Sequence, residues 1–382
     1  MYNLSAYGKM IADHVRTDAY ANALQRAIRP GGTVLDIGCG TGILSLLACK
    51  AGAARVYAVE TSDWIQLARE AARENGYLDR IQFIQDLSTR ITPPEKVDVV
   101  VSDLHGVLPM LGHNFPSIID ARARWLAPGG KLIPSFESMW FAVVESEDAF
   151  RAATGPWDRR PYALSLASAE VYAANQWYKV HFSRKHLLTV PACWAEMDYT
   201  KLQTTLVQGA ATRDVVRVGI GHGLAVWFTS TLLDDVAFSN APGEPETIFG
   251  NAYFPWPSPV ALNKGDQVNV RLRADLVGED YVWSWKSMVH TETDSKHEKA
   301  CFSQSTFFGL PLTRRRLRTQ VGAFVPTLNE DGRIASAALE LMQQGKPLLD
   351  IAHRLCVDFP RRFPESADAM RFLATLAEQY CG

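Results

Sequence analysis

Nowhere in the 382 residues does an apolar run reach the length that crosses a bilayer, although 47% of them are hydrophobic, so no membrane partner is expected. The start, MYNLSAYGKMIADHVRTDAY, is polar and charged where a secretory signal needs an unbroken apolar segment. Charge of one sign is scarce as well: 39 basic residues stand against 41 acidic ones, a net of -2. A protein that binds nucleic acid by neutralising phosphates needs a basic excess, so none is expected as a partner. The six cysteines, at 39, 49, 193, 301, 356 and 381, include no C-x-x-C pair. Without such pairs, reduced thiols and a cytoplasmic location fit better than a disulfide framework, and no metal site is expected. Repeats and low-complexity tracts are missing too, and the length argues for more than one domain.

What is present begins with apolar positions at helical spacing over residues 10–28, namely Met10, Ile11, Val15, Ala19, Ala23 and Leu24. After Pro30-Gly31-Gly32, TVLDIGC, RVYAVE, IQFIQD and VDVVVSD read as strands, separated by the helical segments GILSLLACK and SDWIQLAREAAREN. Short connections between alternating strands and helices predict a parallel, doubly wound sheet. PSIIDARARWLAPGGKLIP adds a helix, a turn and another strand. Beyond Pro134 the stretches SMWFAVVE, WYKVHF, GLAVWFTSTLL, QVNVRLRADL and YVWSWKSMV are aromatic and β-branched, and NAPGEP, PWPSP and NKGD read as turns between them. That texture predicts an antiparallel, barrel-like domain, with residues 146–177 partly helical. Three helical stretches follow Arg314-Arg315-Arg316, itself read as a solvated linker. The expected division is 1–135, 136–313 and 314–382.

The most specific signal is VLDIGCGTG, residues 34–42. A hydrophobic strand ends near Asp36, and Gly38, Gly40 and Gly42 alternate after it, which lets the backbone turn sharply and approach a ligand at a sheet edge. Dehydrogenases use a similar turn, so the loop alone decides little. The next strand ends in Glu60, an acid able to take both hydroxyls of a ribose, and the third ends in Asp86, placed to reach an adenine amino group. Asp36, Gly38, Cys39, Gly40, Glu60 and Asp86 are therefore the candidate cofactor residues.

VLDIGCGTGILSLLACKAGAARVYAVE resembles the cofactor motifs of class I S-adenosylmethionine-dependent methyltransferases, and specifically of the protein arginine methyltransferases. The likeness extends to residues 10–20, MIADHVRTDAY, and to ARARWLAPGGKLIP. It implies a Rossmann-like methyltransferase domain, S-adenosylmethionine as cofactor, Arg16 paired with the cofactor's carboxylate, Met10 beside the transferred methyl, and a homodimer formed through an arm on the barrel.

The same family places two glutamates on the hairpin after the fourth strand, and here the pattern breaks. In Ser102-Asp103-Leu104-His105-Gly106-Val107-Leu108-Pro109-Met110-Leu111-Gly112, Asp103 stands at the first glutamate and Gly112 at the second. The family's T-H-W motif is matched only by Thr247-Ile248-Phe249. A guanidinium keeps its charge and is best held by a carboxylate pair. Asp103 and His105 are accordingly the candidate catalytic residues, His105 as a general base or hydrogen-bond donor. His113 is a further titratable group on the loop. The expected acceptor is a carboxylate, hydroxyl or amine of a peptide or small molecule rather than arginine. Arginine methylation and a non-catalytic cofactor-binding scaffold stand as alternatives. Past residue 318, GAFVPTL and LLDIAHRLCVDFP are faintly similar to small winged-helix peptide-binding domains, while a helical cap on the barrel explains them as well.

Overall fold

The computed structural model describes residues 3–158, 161–292, 298–319 and 321–381. Two compact units divide it, Met1–Pro311 and Leu312–Gly382.

In the first unit, helices α1 (Leu4–Ala12) and α2 (His14–Ala27) precede a parallel sheet of β1 (Thr33–Ile37), β2 (Arg55–Val59), β3 (Ile81–Ile84), β4 (Val97–Ser102) and β5 (Leu126–Ile133). Its order is β3-β2-β1-β4-β5, and every neighbouring pair in it is parallel. Helices α3 (Ile43–Lys50), α4 (Trp64–Glu74) and α5 (Asn114–Arg124) connect the strands. Strands β2 (RVYAV) and β4 (VDVVVS) are buried over most of their length, as strands covered on both faces must be. The single helix expected over 10–28 is in fact two. Asp13 is extended between them and its side chain accepts from the Arg16 N–H, capping the start of α2.

The chain then enters antiparallel structure through β6 (Phe136–Val144). Helices α6 (Glu147–Asp158) and α7 (Glu170–Ala174) fall where the partly helical stretch was expected. There follow β7 (Tyr178–Val180), β8 (Ala192–Asp198), β9 (Val207–Asp214), β10 (Gly219–Leu233), β11 (Val236–Ser239), β12 (Asn251–Leu262), β13 (Gln267–Val277), β14 (Asp280–His290) and β15 (Glu298–Ser305). One sheet runs β7-β12-β10-β6-β8 with β11 on β10, and another runs β15-β14-β13-β9. β13 shows why: Val268, Val270, Leu272 and Ala274 alternate inward, the period of a strand with one buried face.

PWPSP is not a turn; it lies inside β12. Proline donates no ladder hydrogen bond and is confined to edges and bulges. Both conditions are met: β7 pairs only with Asn251–Tyr253, and the pairing of β10 with β12 shifts register between Gly221 and Gly223. Pro257 and Pro259 fall in that shifted stretch, exposed.

The second unit contains α8 (Arg314–Thr319), α9 (Glu330–Gln343), α10 (Leu348–Asp358) and α11 (Ser366–Tyr380). Ile334, Ala338, Ile351, Leu355, Phe363 and Leu373 form its own core. Arg314–Arg316 are helical rather than a linker, and no strand occurs among the described residues of this unit, so none of them forms a wing. No helix among the described residues is long and apolar enough to cross a membrane.

Candidate active site

Ends of parallel strands converge on a cavity of about 440 Å³ lined by Met10, Gly38, Glu60, Asp86, Asp103 and His105, among others. The residues that close the strand ends in sequence thus meet in space, at the edge where such sheets bind ligands. Backbone geometry makes the floor. Gly38 has φ +72° and Gly40 φ +52°, values that side chains on other residues resist. A Cβ at Gly38 would collide with Leu104, and one at Gly40 would lie 2.6 Å from the Tyr7 ring. The Gly40 N–H donates to Glu60 Oε2 at 3.0 Å and the Ser62 N–H to Oε1 at 2.9 Å. Glu60 is therefore fixed by main-chain donors before any ligand arrives. Asp86 Oδ1 accepts the Leu87 N–H at 2.7 Å.

Arg16, Asp36, Cys39 and Gly40, expected to touch a cofactor, are not among the residues lining the cavity. Asp36 lies behind it, fully buried, and accepts from Ser45 Oγ at 2.6 Å. Burial lifts its carboxyl to about 7, although the Ser45 hydrogen bonds and nearby acids act on it too. Cys39 is also buried, and its N–H is spent on Val59 O at 3.0 Å.

Arg16 is buried, with its guanidinium on Asp103 through two nitrogens. Its Nη1 also donates to the Met10 carbonyl at 3.1 Å, tying α1 to α2. The other oxygen of Asp103 meets His105 Nδ1 at 2.7 Å. Burial by itself would raise this carboxyl, but Arg16 foremost and then His105 outweigh it and hold Asp103 at about 2. His105 is itself 2% exposed, stacked on Phe228 at 5.1 Å between ring centres and bordered by Phe249 at 5.8 Å. Phe249 belongs to Thr247-Ile248-Phe249, and the Ile248 N–H donates to Asp13 Oδ2 at 2.7 Å. So this segment of the antiparallel region grips both the loop and the start of α2.

The Nε2 of His105 meets Glu137, a residue the motifs do not reveal. Glu137 sits on β6 at 0% exposure, and its second oxygen accepts the Tyr199 hydroxyl. Burial disfavours a charged imidazole, yet Glu137 first and Asp103 with it overcome that and raise His105 to about 10. A ring with both nitrogens on carboxylates needs two N–H donors, which makes it an imidazolium. That excludes His105 as a general base near neutral pH and corrects that expectation. The signal for Glu137 was in the sequence, a lone acid in step with the inward Met139 and Phe141 of FESMWFAVV. Gly112 and His113 line the same cavity, His113 being 41% exposed in its side chain.

Residues 7–135 match the family described as ribosomal protein L11 methyltransferase (PrmA). Over 330 residues the chain is 30% identical to protein arginine N-methyltransferase 6 of Xenopus laevis, covering 82% of this chain and 92% of that one. Its structure is similar to that of protein arginine methyltransferase 10 of Arabidopsis thaliana, with a TM-score of 0.69, 25% identity, and coverage of 79% and 97%. A similar fold occurs in the PRMT1 enzyme-prozyme heterotetrameric complex of Trypanosoma brucei, with a TM-score of 0.70, 22% identity, and coverage of 78% and 96%.

Asp36 generates a pH test. Its carboxyl binds a proton more tightly folded than unfolded, so its contribution is intact below about pH 3.8 and is lost as pH rises through about 7. Asp36→Asn does not titrate, so relative to the native chain it should gain on the order of 1–4 kcal/mol between pH 4 and pH 8. Urea melts of both proteins at the two pH values measure this, and a difference that stays constant with pH would refute the assignment.

Proposed function

The chain belongs to the protein arginine N-methyltransferase family, and from that premise we propose that it methylates a guanidinium nitrogen of arginine in a protein or peptide. It is an S-adenosylmethionine-dependent methyltransferase. The expected carboxylate, hydroxyl or amine acceptor, inferred from Gly112, is overturned by a relative named as an arginine methyltransferase that matches along 92% of its own length. The scaffold alternative gives way with it.

The observation that carries the reading is Asp103, an ionised carboxylate lining the cavity at the end of β4. Glu60, Asp86 and the glycine floor suit the cofactor's ribose, adenine and backbone approach, with Met10 beside the methyl and Arg16 near its carboxylate. When bound, S-adenosylmethionine supplies an electrophilic methyl group. Asp103 then accepts hydrogen bonds from guanidinium N–H groups and turns one nitrogen toward that methyl. Methyl transfer to that nitrogen would exchange the donor's C–S bond for the new N–C bond, with S-adenosylhomocysteine as the other product and the nitrogen's proton lost to solvent. The six unpaired cysteines suit a cytoplasmic setting, where thiols stay reduced.

A homodimer is part of this proposal. Trp157 on α6, Val171 on α7, and Tyr162, Leu164 and Leu166 between the two helices are exposed apolar side chains, as an arm that docks on a second copy would present.

Mass spectrometry of arginine-rich peptides incubated with the enzyme and labelled cofactor should find methylated guanidinium. Asp103→Asn should lower kcat/KM roughly 10- to 100-fold, the loss of a charge-assisted hydrogen bond. No methylarginine from the native enzyme would end the reading. In calorimetry, Glu60→Ala should weaken cofactor binding by at least about tenfold, because two charge-assisted bonds to the ribose are removed. Unchanged affinity would reject the role. Light scattering should give twice the chain mass, and a monomeric mass would remove the dimer.

A further inference from the structure

His105 lines the cofactor cavity and Glu137 does not, yet both are withdrawn from water and joined to its buried acid Asp103. A buried carboxylate costs several kcal/mol unless its oxygens are answered. Here one oxygen of Glu137 is on His105 Nε2 and the other accepts from Tyr199. His105 in turn reaches Asp103 at 2.7 Å. Asp103 thus receives two cations, Arg16 and His105, on a single negative charge. Taken alone, that trio would be net positive and would repel both a guanidinium and a sulfonium. Glu137 cancels the excess. It comes from β6, on the antiparallel side, while Asp103 and His105 follow β4 of the parallel sheet.

We propose that Glu137 is a positioning residue for methyl transfer: through His105 it holds the Asp103 carboxylate in place and offsets the charge His105 brings, supplying the negative charge that Gly112 does not. The inference rests on the arginine reading above. It makes Asp103 the only acid that touches the guanidinium, with the second acid one residue behind it. His105 transmits the effect because its ring is locked, stacked on Phe228 and flanked by Phe249. The other polar groups facing this cluster include Tyr20 from α2, Tyr199 beyond β8 and Asp13 beside Arg16. Tyr20 and Tyr199 are held neutral by burial, so they leave the charge balance unchanged.

The test is the pH profile of arginine-peptide methylation by the full chain and by Glu137→Gln, which keeps the shape and a hydrogen-bonding end. In the native enzyme, kcat/KM should show no titration of His105 between pH 6 and 9. In Glu137→Gln the imidazolium loses its main counter-charge and titrates inside that window. Below its new pKa it neutralises Asp103, so kcat/KM should fall at least about tenfold more than in the native enzyme from pH 8.5 to pH 6. Adding His105→Gln removes the imidazolium and should restore a profile parallel to the native one. A merely structural Glu137 would lower the melting temperature but leave the profiles parallel, and that result in an active enzyme overturns the proposal. A native enzyme that forms no methylarginine overturns the arginine reading, and this inference with it, a separate and recognisable outcome. Should the variant fail to fold, NMR of the native His105 ring decides: the proposal requires an imidazolium up to pH 9, and titration near 6.5 sinks it.

Discussion

A carboxylate taken out of water has to be met by positive charge, and the placement of Asp103 is governed by how Arg16 and His105 do so. Each partner brings a different part of the chain. Arg16 draws in α2 and, through the Met10 carbonyl, the end of α1. His105 draws in Glu137 and hence β6 and Tyr199. The parallel sheet supplies the acid, but its orientation is settled by groups that lie outside that sheet. Because breaking one member of a buried charge network strands the others, the whole set resists piecemeal change.

The aromatic packing has the same logic. Phe228, Phe249 and Phe238 sit within about 6 Å of one another, between ring centres, around His105 and Tyr20. They exclude water from the ion pairs and so strengthen them, at the cost of making any unpaired polar atom expensive. Asp36 illustrates the other course open to a buried acid. With one hydroxyl donor and no cation in contact, it is raised toward neutrality instead of being held ionised.

Much of this is legible in the amino-acid sequence. The parallel sheet announced itself through short apolar strands broken by helical periods, and the acids at Glu60, Asp86 and Asp103 fell at strand ends, where a parallel sheet must present them. Asp36 misled because a strand's penultimate acid looks like a ligand contact while its side chain turns inward to Ser45. PWPSP misled because proline usually ends a strand, and only the edge and the bulge opposite it make it tolerable. The acceptor was misjudged for a related reason. Counting acids along the hairpin gave one where the family has two, and no local count registers Glu137, 32 positions from His105 in sequence yet bonded to its ring.

The first helix has a consequence of its own. α1 is nine residues long and buries no side chain, although Tyr7 and Met10 form part of the cavity wall. A helix this short is marginal by itself in water, so it is ordered by what it leans on: the edge contact of Tyr7 with Trp64, at 5.6 Å between ring centres, and the Arg16 bond to its last turn. Lifting it exposes almost no core. A wall of the cavity is therefore made by an element that can loosen while the hydrophobic core shared by the sheets stays packed.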